Sequence, residues 1–109
     1  MSDQINKITT QMRKGILEYI VLSIISNGET YGAEILKQLK ENNLIIVEGT
    51  LYPMLSRMKK DGLINYNWVE SDSGHPRKYY NLTQDGENLL IIMGKSWDTL
   101  NKAVNNITK

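Results

Sequence analysis

The sequence has no cysteine and no phenylalanine, only two prolines and a single histidine among its 109 residues. The lack of cysteine excludes disulfide bonds and thiolate zinc sites. No apolar run approaches the roughly 20 residues that a helix needs to cross a bilayer. Residues 1–14 are polar and lack the apolar segment of a signal peptide, so we expect a cytoplasmic protein with no membrane partner.

An excess of charge of one sign is also missing. The formal net charge is +1, so a nucleic-acid site would depend on local clustering of cations. The apolar fraction of 40% is enough for one domain with a core. A domain of this size buries a limited share of its surface, and a partner subunit would add to its stability.

Catalytic patterns are absent as well. The sequence has no Ser/His/Asp set, no paired carboxylates in a shared motif, no phosphate-binding glycine loop and no metal cluster. His75 is the single histidine and has no second nitrogen or sulfur ligand nearby, so we expect no metal and no cofactor. The sequence therefore predicts a binding protein and not an enzyme.

Two helices are predicted before residue 44. The first spans about residues 5–27, and it has two apolar stripes, so it needs two packing partners, one of which can be another subunit. Gly28 is expected to end it. Thr30 is expected to cap the second helix, which Asn42-Asn43 closes. The apolar connection at residues 44–47 is a candidate for a brief strand.

The third predicted helix, residues 49–60, has two contrasting faces. One face is a buried stripe with helical spacing: Leu51, Met54, Leu55 and Met58. The other mixes hydroxyls, an aromatic ring and cations: Thr50, Tyr52, Pro53, Ser56, Arg57 and Lys60. Such residues contact bases and phosphates in a DNA groove, although a solvated helix face also carries cations. Pro53 suits a helix only in or near its first turn.

Beyond Gly62, which is placed to end the third helix, the periodicity changes from 3.6 to 2. Strands at residues 63–70 and 77–82, joined by a turn at residues 71–76, predict a β-hairpin. Its tip and the cations that follow are candidates for phosphate or minor-groove contact: Gly74, His75, Arg77 and Lys78. The alternative is a charged tip that keeps a sheet edge soluble. Trp68 is expected near the core in a structural role.

Thr83 is expected to cap a long last helix that runs to Ile107. Its apolar residues alternate in steps of three and four, which is typical of a coiled-coil seam: Leu90, Met93, Trp97, Leu100, Val104 and Ile107. Gly86 and Gly94 each lower the helix stability by about 1 kcal/mol. We therefore expect compensating packing, most simply a homodimer formed through the first and last helices.

Three helices, a hairpin and a long helix describe a winged helix-turn-helix, an α+β fold that is mostly helical. Several strings resemble the PadR family of transcriptional regulators: Tyr31-Gly32, the run from Gly49 to Met58, residues 61–64, Arg77-Lys78-Tyr79-Tyr80, and Leu82-Thr83 with Gly86. The resemblance extends from about Leu17 to the end. It implies a homodimeric repressor on a double-stranded DNA operator, with a winged domain at residues 1–82 and a dimerisation helix at residues 83–109.

The resemblance also bears on two aromatic residues. It favours a phosphate contact for Tyr31, whereas chemistry alone favours the core. The single C-terminal helix resembles a short-chain, multidrug-binding subgroup of the family, which implies a pore for a planar hydrophobic ligand at the dimer interface, lined by Met12, Tyr19, Met93, Trp97 and Asn101. The alternative for Trp97 is a packed seam. The alternative for the whole chain is a coiled-coil interaction module whose winged domain does not bind DNA.

Overall fold

A computed structural model describes all residues, Met1–Lys109. Four helices and two strands follow one another in the order α1 Ser2–Ser26, α2 Gly32–Glu41, α3 Glu48–Lys60, β1 Ile64–Glu70, β2 Pro76–Leu82 and α4 Gln84–Ile107. This is the predicted winged helix-turn-helix, mostly helical and with one small antiparallel sheet. None of the four helices combines the length and the hydropathy that a membrane span requires.

The core forms where α1, α2, α3 and the hairpin meet. The whole predicted stripe of α3 is buried: Leu51, Met54, Leu55 and Met58. It packs in one cluster with side chains of the neighbouring elements: Leu17, Val21, Leu22, Ile25, Ile35, Leu39, Ile64 and Tyr80. Burial of this stripe fixes which face of α3 remains available to a ligand.

Helix α3 starts one residue earlier than predicted, and Pro53 is therefore its sixth residue. The condition that Pro53 lie in or near the first turn is not met, because the proline is in the second turn. Without an N–H, Pro53 leaves the carbonyl of Gly49, four residues before it, without its helical donor. Gly49 is exposed, so water can serve that carbonyl. Gly62 follows the helix with φ +77°, the left-handed turn that was predicted.

The expectation that Thr30 caps α2 is wrong, since Tyr31 occupies the cap position. Thr30 pairs instead with β2, donating its N–H to the Tyr80 carbonyl (3.3 Å) and accepting from the Tyr80 N–H (2.7 Å). This pairing holds Thr30 in an extended bridge, two residues before the first residue of α2. Its buried hydroxyl has no hydrogen-bond partner.

The predicted brief strand at residues 44–47 is also wrong. The segment has no strand pairing and connects α2 to α3 as a loop. Leu44 and Ile46 pack against the core, whereas Ile45 and Val47 are exposed. Alternating burial therefore produces a strand-like pattern in a chain segment that has no neighbouring strand to pair with. Asn43, with φ +62°, ends the preceding helix as expected.

The hairpin pairs Ile64 with Leu82 at its base and Glu70 with Pro76 at its tip. Pro76 belongs to β2, so the turn covers residues 71–75 and is shorter than predicted. Two hydrogen bonds from Ser71, one from its N–H and one from its hydroxyl, converge on the His75 carbonyl. Gly74 adopts φ +82° within this turn. The hairpin is the wing of the fold.

Thr83 caps α4 as predicted and also ties that helix to the end of α3. Its hydroxyl accepts from the Gly86 N–H (3.0 Å) and donates to the Gly62 carbonyl (2.6 Å). Gly86 lies so close to Leu63 that an added Cβ would stand 2.1 Å from the Leu63 carbonyl oxygen. The three segments therefore meet without room for a side chain at Gly86.

Large apolar side chains remain exposed along α1 and α4. The N-terminal part of α1 exposes Ile5, Ile8 and Met12, and α4 exposes Ile91, Ile92, Leu100, Val104 and Ile107. The predicted seam is thus half-buried at Leu90, Met93 and Trp97 and uncovered further along. These two helices pack against each other in the single chain and leave their outer apolar surface unpartnered.

Candidate nucleic-acid interface

Helix α3 and the wing share a cleft of about 310 Å³. Tyr52 is its α3 member, Arg77 and Lys78 come from the wing, and Tyr31 lies at the start of α2. Tyr52 rests against Gly32, where an added Cβ would be 2.3 Å from the Tyr52 hydroxyl oxygen. The Tyr31-Gly32 string thus has a structural reason, because a glycine there lets the ring of Tyr52 lie over the start of α2. We call this space the wing-side cleft.

Both basic residues of the wing rest on aromatic rings. The guanidinium of Arg77 lies 4.4 Å from the ring centre of Tyr31, which also contacts Tyr79. The ammonium of Lys78 lies 4.6 Å from the ring centre of Tyr66 and 5.4 Å from that of Trp68. Such contacts hold the cations in place and leave their charge uncompensated. The structure therefore places Tyr31 beside the wing as a support for Arg77.

The expectation that Trp68 lies near the core is wrong, since 62% of this residue is exposed. Its indole packs edge-on against Tyr66 and lines the wing-side cleft. Alternation along β1 correctly indicates that Trp68 and Tyr66 share a face. That face meets the core only at the base of the hairpin, which the sequence pattern does not reveal. Trp68 is thus a surface residue of the candidate interface that sequence reasoning missed.

A second recess of about 360 Å³ separates α3 from α1, and we call it the α1-side recess. On α3 it is lined by four residues of one side of the helix: Thr50, Pro53, Met54 and Arg57. Arg57 is not free, because its Nη2 donates a hydrogen bond to Glu18 of α1. Glu18 was not predicted as a site residue. Its partner is 39 positions away in the sequence, and no local pattern reveals such a pairing.

The remaining predicted contact residues are exposed, and none of their side chains makes a hydrogen bond or an ion pair. Ser56 and Lys60 project from α3 outside the lining of both recesses. Gly74 and His75 are exposed at the wing tip. The chain contains no group of three or more residues suited to binding a metal ion.

Tyr80 forms the floor of the wing-side cleft and is almost fully buried. Burial, followed by the neighbouring phenols of Tyr52 and Tyr66, raises the pKa of Tyr80 above its ordinary value. Tyr80 therefore stays a neutral phenol at physiological pH. The charge of the cleft comes from Arg77 and Lys78 alone.

The structure brings together three of the five residues that were predicted to bind a ligand. Tyr19, Met93 and Trp97 line one groove of about 210 Å³ between α1 and α4, together with Gly15, Ile16, Ile92, Ser96 and Leu100. Met12 and Asn101 are exposed and do not line it. We call this space the Trp97 groove. It is apolar on most sides and half-covers the indole of Trp97, which suits a flat hydrophobic molecule.

Comparison with known proteins places this arrangement in a family. The sequence profile of the transcriptional regulator PadR-like family matches residues 21–91, which include α2, α3, the wing and the start of α4. A PadR-like transcription factor from Bacteroides fragilis is 50% identical, with a TM-score of 0.77, and the match covers 93% of this chain and 98% of that one.

Two further solved structures agree. A PadR-like transcriptional regulator from Bacillus cereus is 40% identical with a TM-score of 0.81, over 91% of this chain and 97% of that one. A PadR family transcriptional regulator from Eggerthella lenta is 30% identical with a TM-score of 0.87, over 99% and 95%. The chain therefore belongs to the PadR-like family of transcriptional regulators and is a DNA-binding regulator, not an enzyme.

Proposed function

We propose that the protein is a homodimeric repressor that binds a specific operator through α3 and the wing. The observation that carries the proposal is the wing-side cleft, in which Tyr52 of α3 lies beside Arg77 and Lys78 of the wing. A helix in the major groove and a basic hairpin on the adjacent backbone would use such a surface together. In this proposal residues 1–82 form the DNA-binding domain and residues 83–109 the dimerisation helix.

Dimerisation is supported by the unpartnered apolar surface of α1 and α4. Met12 is 73% exposed and Ile107 is 81% exposed, and both lie on faces that continue along their helices. A second copy would cover these faces and place two α3 helices about 34 Å apart, one turn of DNA.

Replacing Arg57 with alanine is expected to weaken operator binding by about 1–3 kcal/mol for each protomer. The folded dimer should remain, because Arg57 lies outside the buried stripe and its exposed ion pair contributes at most about 1 kcal/mol. Fluorescence anisotropy with a fragment of the protein's own promoter measures the first effect, and thermal melting the second. Lys102→Ala, which removes one exposed cation from α4, is the matched control. A large loss of thermal stability in Arg57→Ala would show that Arg57 is wrongly assigned to the exposed face of α3.

For regulation, we propose that a planar hydrophobic ligand binds near Trp97 and releases the operator, as in the short-chain, multidrug-binding subgroup. The Trp97 groove supports this, since Tyr19 and Met93 supply a ring and a polarisable thioether beside the indole. A second copy against the same faces would turn the groove into a shared pore that can also include Met12 and Asn101.

Replacing Trp97 with alanine is expected to abolish the quenching of tryptophan fluorescence by a planar cationic dye such as ethidium. The chain has only two tryptophans, and Trp68 lies on the wing. Trp68→Phe is the matched control, which should keep the quenching because Trp97 is then the sole reporter. Quenching that persists in Trp97→Ala would assign the dye to the neighbourhood of Trp68 and contradict the proposed ligand site.

A further inference from the structure

Glu18 and Arg57 form the single ion pair of the chain. The pair connects α1 to the outer side of α3, and the two side chains are 37% and 55% exposed. Ion pairs this exposed contribute little to stability, because water screens the charges and two long side chains must be ordered. The main effect of the pair is therefore on the charge and the hydrogen-bond donors that Arg57 offers to a ligand.

The other cations of the proposed DNA surface have no carboxylate partner. Lys60 is exposed, while Arg77 and Lys78 rest on aromatic rings that leave their charge available. Phosphates attract such cations whatever the base sequence, and this attraction supplies essentially all non-specific affinity. Arg57 is the one cation of this surface whose charge is already compensated.

A compensated arginine keeps most of its hydrogen-bond donors. The guanidinium has five N–H donors in a rigid fork, and the contact with Glu18 uses the Nη2 end. Arg57 and Glu18 share one recess with Thr50, a residue of the N-terminal half of α3. That half of a recognition helix meets base edges, and arginine most often donates there to guanine O6 and N7.

We propose that Glu18 is a specificity-determining residue. Its carboxylate neutralises the charge of Arg57 and so weakens the attraction of Arg57 to phosphates. The same contact holds the guanidinium in position for base contact. The inference rests on the proposed DNA-binding function. Glu18 acts through Arg57 and lowers affinity for unrelated DNA more than affinity for the operator. Removal of the carboxylate charge frees Arg57 to bind phosphate, so the protein binds all DNA more tightly and discriminates less.

The test compares Glu18→Gln, which keeps the size and an acceptor oxygen, with Glu41→Gln, a matched change at the exposed end of α2. Anisotropy titrations across salt use a promoter fragment and a scrambled duplex of equal length and composition. One additional phosphate contact for each protomer should steepen the log–log salt slope on scrambled DNA by about 1.8 for a dimer. Discrimination between the duplexes should fall several-fold, while Glu41→Gln leaves both quantities near those of the wild type.

An unchanged salt slope in Glu18→Gln would overturn the inference. Weaker binding to both duplexes with a lower melting temperature would do so too, because that is the result of a purely structural pair. The double variant Glu18→Gln with Arg57→Gln keeps the wild-type net charge and gives an independent test. It should bind scrambled DNA as the wild type does and lose its preference for the promoter, and a retained preference contradicts the proposal. Wild-type protein that binds neither duplex at low salt would overturn the proposed function itself.

Discussion

The affinity of the protein for its operator is expected to fall about 10³- to 10⁵-fold when salt is raised from about 50 to 200 mM. The physical cause is the release of counterions from DNA as protein cations replace them. In each protomer, three cations of the proposed surface have no acidic partner: Lys60, Arg77 and Lys78. Twice that number in a dimer falls within the roughly six to ten phosphate contacts that give such a fall.

The measurement is an anisotropy titration of a labelled promoter fragment at several salt concentrations, with the slope of log affinity against log salt as the readout. Lys102→Ala serves as the control, because it removes a cation outside the proposed surface and should leave the slope unchanged. A flat salt dependence would exclude phosphate contact by the wing and α3. Absence of any binding at low salt would favour the alternative, a coiled-coil interaction module whose winged domain binds protein.

Replacing Gly86 with alanine is expected to lower the free energy of unfolding by roughly 3 kcal/mol, with a fall in melting temperature of about 10–20 °C. The new Cβ would stand 2.1 Å from the Leu63 carbonyl oxygen and 3.1 Å from its carbon. Both are backbone atoms, so a side-chain rotation cannot relieve the overlap. The Leu63 carbonyl also accepts the Thr83 N–H at 3.1 Å, and a shift of either segment would strain that bond.

Gly15→Ala is the matched control for this prediction, since no atom lies within 4 Å of the position of its added Cβ. Alanine at this mid-helix position should stabilise α1 by about 0.5–1 kcal/mol. Both variants are melted at one protein concentration, because the stability of a dimer depends on concentration. Equal melting temperatures for Gly86→Ala and the wild type would mean that α4 can move away from Leu63 at little cost.

Local periodicity was sufficient to predict most of the fold. The buried stripe of α3, the left-handed turn at Gly62 and the cap at Thr83 depend on residues within one or two turns of each other, so sequence spacing reveals them. Thr30 was misjudged because its backbone pairs with Tyr80, far along the chain, and this long-range pairing overrides the preference of threonine for a cap. The loop at residues 44–47 was misjudged because alternation alone does not supply a neighbouring strand.

The candidate site was predicted less completely than the fold, because its residues are far apart in the sequence and meet only in the folded chain. The residue types on α3 and the wing could be selected from their chemistry, but only the folded chain brings Tyr52 beside Arg77 and Lys78. The partnership of Glu18 with Arg57 and the exposure of Trp68 depend on how α1 and the wing lie against α3. Neither arrangement leaves a periodic signal in the sequence.

The hydrogen bonds of Thr83 have a consequence for how the wing can change. The Thr83 hydroxyl joins the Gly62 carbonyl to the Gly86 N–H, and the hairpin returns to its starting point where Ile64 pairs with Leu82. Thr83 therefore links the end of α3 directly to the start of α4. The hairpin extends from this junction, and its two strands are paired at the base. We therefore expect that residues added to or removed from the turn at residues 71–75 change the length of the wing and leave the angle between α3 and α4 unaltered.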